Sequence, residues 1–132
     1  MSFKLVLRIV GLFGIFMIVL LSVIPADVQV RTGLSKGLEH MAAYLLLGFV
    51  LAAAYGGRRS SAPIIVALLI AVSGALEIVQ QWIPGRTVSL ADWGAGAFGT
   101  LVGVLLHASL RELRQGRQDR LQQAHWNQTP RH

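Results

Sequence analysis

The apolar residues of this chain fall into four long runs separated by short polar breaks, and the length of each run decides what it can be. Residues 5–24 are apolar apart from Arg8 and Ser22, and 38–55 are apolar beyond Glu39 and His40. Residues 62–83 are interrupted by Ser73, Glu77, Gln80 and Gln81, and 88–110 carry Asp92 near their start. A helix needs about 20 mainly apolar residues to cross the hydrocarbon core of a bilayer. Each run therefore predicts one spanning helix, and the whole predicts an all-α fold, a polytopic membrane protein built as a four-transmembrane-helix bundle over residues 1–110. Ser35 ahead of Glu39 has the pattern of a helix start, and Pro84-Gly85 that of a tight turn between the third and fourth spans. The remainder, 111–132, is a polar tail in which Leu113 and Leu121 are the aliphatic markers. It is expected either as a basic helix on the anionic inner leaflet or without order. A signal peptide is the rival reading of the first run, but its length and the poor cleavage site at Ile24-Pro25-Ala26 before Asp27 favour an uncleaved span.

Composition agrees with this picture and narrows it. Hydrophobic residues make up 54% of the 132 positions and charged residues 14%, with a mean hydropathy of +0.58, which excludes disorder and an ordinary soluble domain. Cysteine is absent, so disulfides, thiolate nucleophiles and cysteine metal sites are excluded. A net charge of +6 would point to nucleic acid in a polar protein, yet in a membrane protein basic residues first report orientation. Lys4, Arg8, Arg58, Arg59, Arg111, Arg114, Arg117, Arg120 and Arg131 fall on the side of the termini, nine against the three of Arg31, Lys36 and Arg86. Both termini are expected to be cytoplasmic, 111–132 to be a basic cytoplasmic tail, and nucleic acid is not expected as a partner.

In that orientation His40 begins a helix descending from the outer face, Glu77 is near the end of one ascending to it, and Asp92 begins another descending, with Arg86 in the turn between. Glu77 is about 9 Å below Ile83 at 1.5 Å per residue, where a lone carboxylate is tolerable only when paired, protonated or hydrated. Arg86 is the nearest cation in sequence and is expected to pair with it. Ser73, Glu77 and Gln80 share one face of their helix, and His40 and Tyr44 share one face of theirs. Asp92, Gly96, Gly99 and Gly103 recur at intervals of four, three and four, placing the carboxylate above a stripe of small residues that admits a close neighbour. If chemistry occurs, His40 is the general acid or base, Glu77 or Asp92 its partner, and Arg86 the anion clamp, with Tyr44, Gln80 and Ser89 lining the binding site. Plainer roles stand beside these. Ser89 and Asp92 have the spacing of a capping box, Glu39 suits helix-terminus electrostatics, and Arg86 suits a structural ion pair. His107, His125 and His132 lie at the inner end or in the tail and receive no role. A metal held by His40, Glu77 and Asp92 is not expected, because one imidazole and two unfixed carboxylates are a thin donor set, and no cofactor is expected.

Glu77-Ile78-Val79-Gln80, Pro84-Gly85-Arg86, Ser89, Asp92, Gly99 and Gly103, together with Leu38-Glu39-His40-Met41-Ala42-Ala43-Tyr44 through Gly48, resemble the two signatures of the VanZ-like family of small membrane proteins. The resemblance covers roughly residues 35–105. One position departs from the pattern: Gly96 stands where the family usually has asparagine. The family is named for a teicoplanin-resistance protein. The resemblance implies a multi-span helical protein of the bacterial cytoplasmic (inner) membrane, associated in some members with reduced susceptibility to glycopeptide antibiotics, and it supplies no reaction. Two functions of different kinds follow. One is an envelope protein that binds or modifies a lipid-linked or cell-wall precursor at the outer leaflet, as enzyme or as binder. The other is a non-catalytic accessory subunit that docks the Gly94–Gly103 helix face and the basic tail onto a larger membrane protein complex.

Overall fold

A computed structural model of the protein describes residues 2–25, 33, 35–56 and 61–128. Ala26, Asp27, Arg31, Arg58, Arg59, Arg131 and His132, which entered the reading above, lie outside the described residues. The helices are α1 (Phe3–Val23), α2 (Lys36–Tyr55), α3 (Ser61–Val79) and α4 (Leu90–Gln128), with a 3-10 turn at Gln80–Trp82. All four are long and apolar enough to cross a membrane. Large apolar side chains such as Phe13, Phe16, Leu46, Leu68 and Leu105 point outward, which suits hydrocarbon and would be a liability in water.

Local chemistry accounts for the starts and stops. Ser35 Oγ accepts the Leu38 N–H at 3.4 Å and opens α2, and Ser89 Oγ accepts the Asp92 N–H at 3.2 Å and opens α4. Between α3 and α4 the Arg86 N–H donates to Ile83 O at 3.1 Å with Gly85 at φ 73°. Pro84 then Gly85 at the two central positions is the type II pattern, in which only glycine takes that φ without strain. The fourth helix continues past the end of the expected span at 110, so that 111–128 take the helical one of the two states expected for them. It has 39 residues, about 58 Å at 1.5 Å per residue. Beyond Leu110 the sequence is rich in Arg, Gln, Leu and Glu, good helix formers, and Gly116 is the one breaker before Pro130.

The core is built on α2, whose Tyr44, Leu47, Leu51 and Ala52 meet Ile65 and Leu69 of α3 and Val104 of α4. Backbone meets backbone along the α2–α4 seam. A Cβ at Gly99 would strike Met41 O, one at Gly103 would strike Leu45 O, and one at Gly48 would stand 2.9 Å from Thr100 O. Thr100 is fully buried there because its hydroxyl donates to Gly96 O at 3.0 Å. Trp93 Nε1 donates to Ile70 O at 3.2 Å and ties α4 to α3. The glycines thought to offer a docking face are thus largely taken up inside the chain: Gly96, Gly99 and Gly103 face α2 and α3, while Gly94 meets nothing within 4 Å.

Candidate functional site

Three elements deliver polar side chains to one end of the bundle. The first two turns of α2 supply Lys36, His40 and Tyr44, one turn apart and so on one face. The last turns of α3 and the 3-10 turn supply Ser73, Glu77 and Gln80, and the start of α4 supplies Ser89 and Asp92. Every one of the predicted residues His40, Tyr44, Glu77, Gln80, Ser89 and Asp92 belongs to this group.

Lys36 is its hub. Lys36 Nζ lies 2.7 Å from Asp92 Oδ2 and 3.9 Å from Glu77 Oε1, and donates to Gln80 Oε1 at 3.3 Å and Thr87 O at 3.4 Å. Glu77 is 4% exposed. Its Oε2 accepts the Ser89 N–H at 3.0 Å, and its Oε1 faces His40 Nε2 at 3.5 Å. His40 Nδ1 is 3.1 Å from Lys36 O. A carbonyl only accepts, so Nδ1 carries a hydrogen, and Nε2 then meets Glu77 either lone pair to lone pair or through a second proton. Lys36 and His40 thus stand against the two buried carboxylates of Glu77 and Asp92, and buried carboxylates demand such partners.

The rings of His40 and Tyr44 stack at 6.4 Å between centroids. Tyr44 in turn lies beside Ser73 and Glu77. Ser73 Oγ, Glu77 Oε1 and Gln80 Nε2 are buried without a hydrogen-bond partner, although Glu77 Oε1 has Lys36 and His40 within ion-pair distance. On the other side of His40 a cleft of about 110 Å³ opens between α1 and α2, lined by Leu21, Ser22, Glu39, His40, Tyr44 and Arg86. His40 therefore stands between a cleft and a buried carboxylate, the position of a group that passes a proton from one to the other. Among the described residues no group of three or more His, Asp or Glu side chains is arranged to hold a metal ion.

Two sequence-based expectations change. Arg86 does not serve as the counter-ion found at Glu77, which is Lys36. Its Nη2 donates to Leu21 O at 2.6 Å and Ile24 O at 3.1 Å, and its Nε to Ile24 O at 3.3 Å, so it caps the carbonyl-rich end of α1. The nearest cation in sequence loses to one brought by another helix because the type II turn carries Arg86 towards α1. The capping-box reading of Asp92 is half right. Ser89 does cap α4, but the backbone N–H that the acid of a capping box would take goes to Glu77 instead, leaving Asp92 for Lys36. Lys36 is the residue the sequence reading missed, having been counted only for orientation. Its position one turn before His40 was the signal.

No known family model, curated protein or solved structure matches the chain at a significant level, so the likeness to the VanZ-like family rests on the motifs alone.

Proposed function

We propose that this chain is a membrane protein of the bacterial cell envelope that binds, and through His40 exchanges a proton with, a phosphate- or carboxylate-bearing lipid-linked molecule at the outer leaflet of the inner membrane. The observation that carries the reading is the place of His40, which lines the cleft beside Arg86 on one side and faces the buried Glu77 carboxylate on the other. The VanZ-like motifs support an envelope setting. The nine-to-three basic count supports cytoplasmic termini, which puts the polar end outside. Thr87→Cys should then react with an impermeant maleimide in intact cells while Gln118→Cys stays silent, and the reverse pattern removes the outer-leaflet site.

The binding itself is tested by lipid mass spectrometry on protein purified in mild detergent, wild type beside Glu77→Gln and His40→Gln. A co-purifying acidic amphiphile lost in both variants, with helicity and thermal unfolding close to wild type, is the expected result. Identical lipid content in all three proteins would sink the reading.

A second reading, a non-catalytic subunit of a larger membrane complex, is favoured by the exposed extension of α4. On it Arg111, Arg114, Arg117 and Arg120 share one half of the helix, and Glu112 and Asp119 lie on the other. A stoichiometric protein partner lost on removal of 112–132, with Glu77→Gln behaving as wild type, is the outcome that favours it.

A further inference from the structure

Helix α1 takes no part in the polar cluster, yet its seam with α2 has a shape of its own. Between Val10 and Leu21 the α1–α2 seam carries a groove of about 370 Å³ in which every lining residue is apolar, among them Phe13, Met17, Leu46 and Val50. This groove is not closed at the polar end of the bundle. Ile18, Leu21 and Ala43 line both it and the cleft at His40 and Arg86. The two concavities are one trough, apolar for about 16 Å along α1 at 1.5 Å per residue and polar at one end only.

We infer that this trough binds one amphiphile, with a single extended hydrocarbon chain between α1 and α2 and a phosphate ester in the cleft. The inference rests on the reading of the polar end given above and names the class of molecule it takes. The occupant follows from what the walls can satisfy. A peptide strand would leave its backbone N–H and C=O groups unpaired against a wholly apolar lining. A hydrocarbon chain has no polar group to satisfy and gains from every methylene it buries. The cleft, of about 110 Å³, has room for a phosphate. His40 and the positive charge of Arg86 face the phosphate there, with Glu39 on the same wall. The rest of a large headgroup, and any second chain, stay outside the protein.

The test uses the full chain in phosphatidylcholine vesicles carrying a trace of phosphatidylglycerol with a photoreactive group on one acyl chain. Labelling should concentrate on peptides 10–24 and 43–50 over the outward faces at Leu68 and Leu105. Ala43→Trp, an exposed position at the junction of groove and cleft, should cut that labelling by about tenfold, the equivalent of about two methylenes denied burial. Met17→Trp blocks the groove lower down and serves if the first variant folds poorly. Labelling spread evenly over the Leu68 and Leu105 faces, or unchanged in both tryptophan variants, overturns the inference by showing ordinary boundary lipid. The two readings fail separately. Groove labelling that persists while no amphiphile co-purifies with the wild type removes the polar-end reading and keeps the trough. Co-purification that survives both tryptophan variants removes the trough and keeps the polar-end reading.

Discussion

Helix α2 makes two seams from the same residue type, and they end differently. Against α4 the glycines meet backbone, Gly99 at Met41 O and Gly103 at Leu45 O. Against α1 they meet side-chain tips, Gly11 at Leu51 Cδ2 and Gly14 at Leu47 Cδ1. In lipid, where no hydrophobic force drives one helix onto another, small residues set how near two backbones come. A backbone contact leaves nothing to adjust, whereas a leucine tip can change rotamer and give way. The α2–α4 seam therefore fixes the distance over which Lys36 reaches Asp92, and the α1–α2 seam leaves room for a trough. The rigid seam holds the charges, and the loose one carries the apolar groove.

The comparison can be broken at several strengths. The largest effect is expected from Gly99→Leu or Gly103→Leu, which drives a side chain into the α2 backbone. A loss of more than about 3 kcal/mol, or no folded protein, should appear in thermal unfolding in detergent, against less than about 1 kcal/mol for Gly14→Ala. Equal losses at the two seams would remove the distinction.

Next in size is Lys36→Met, which leaves two buried carboxylates short of a cation. With the Lys36 side chain 32% exposed, a cost of about 2 to 4 kcal/mol is expected, and adding Asp92→Asn should recover much of it, because losing both members of a buried pair costs less than losing one. Strictly additive losses would show that the 2.7 Å contact carries no coupling.

Arg86→Gln should cost about 1 to 2 kcal/mol by releasing the carbonyls of Leu21 and Ile24. Amide hydrogen exchange should then quicken in the last turn of α1 and stay unchanged in residues 96–104 of α4. Faster exchange in α4 as well would mean that the seams are not independent. Arg86→Lys should rescue little, since a single ammonium cannot reproduce the guanidinium fork.

The smallest change is expected from Trp93→Phe. It keeps the ring beside Gly74 and loses one hydrogen bond to Ile70 O, about 0.5 to 1.5 kcal/mol. A greater loss than that of Arg86→Gln would place α3, and not α1, at the weak edge of the bundle.

Much of this architecture is legible in one dimension. Four runs of spanning length, a serine before each of α2 and α4, and Pro84-Gly85 between the last two helices are local signals, and each reports a local structure. Helical spacing also sorts His40 with Tyr44, and Ser73 with Glu77 and Gln80, onto faces that do turn inward. Pairing across helices is another matter. Proximity in sequence nominated Arg86 for Glu77, while the fold brought Lys36, 41 positions away, and turned Arg86 to α1. The glycine stripe likewise tells that something comes close but not whether it is the same chain, and here Gly96, Gly99 and Gly103 meet α2 and α3.

Alone, then, the amino-acid sequence determined the helices, their membrane-compatible length and which residues would be too polar to face lipid, because apolar run length and 3.6-residue periodicity are properties of neighbours along the chain. Tertiary structure alone decided which cation stands at Glu77, which backbone groups occupy Arg86, and that the α1–α2 seam carries an apolar groove. Those outcomes depend on interhelical distance and register to within an ångström or two, and both are set by where glycine lets backbones touch and where a leucine tip holds them apart.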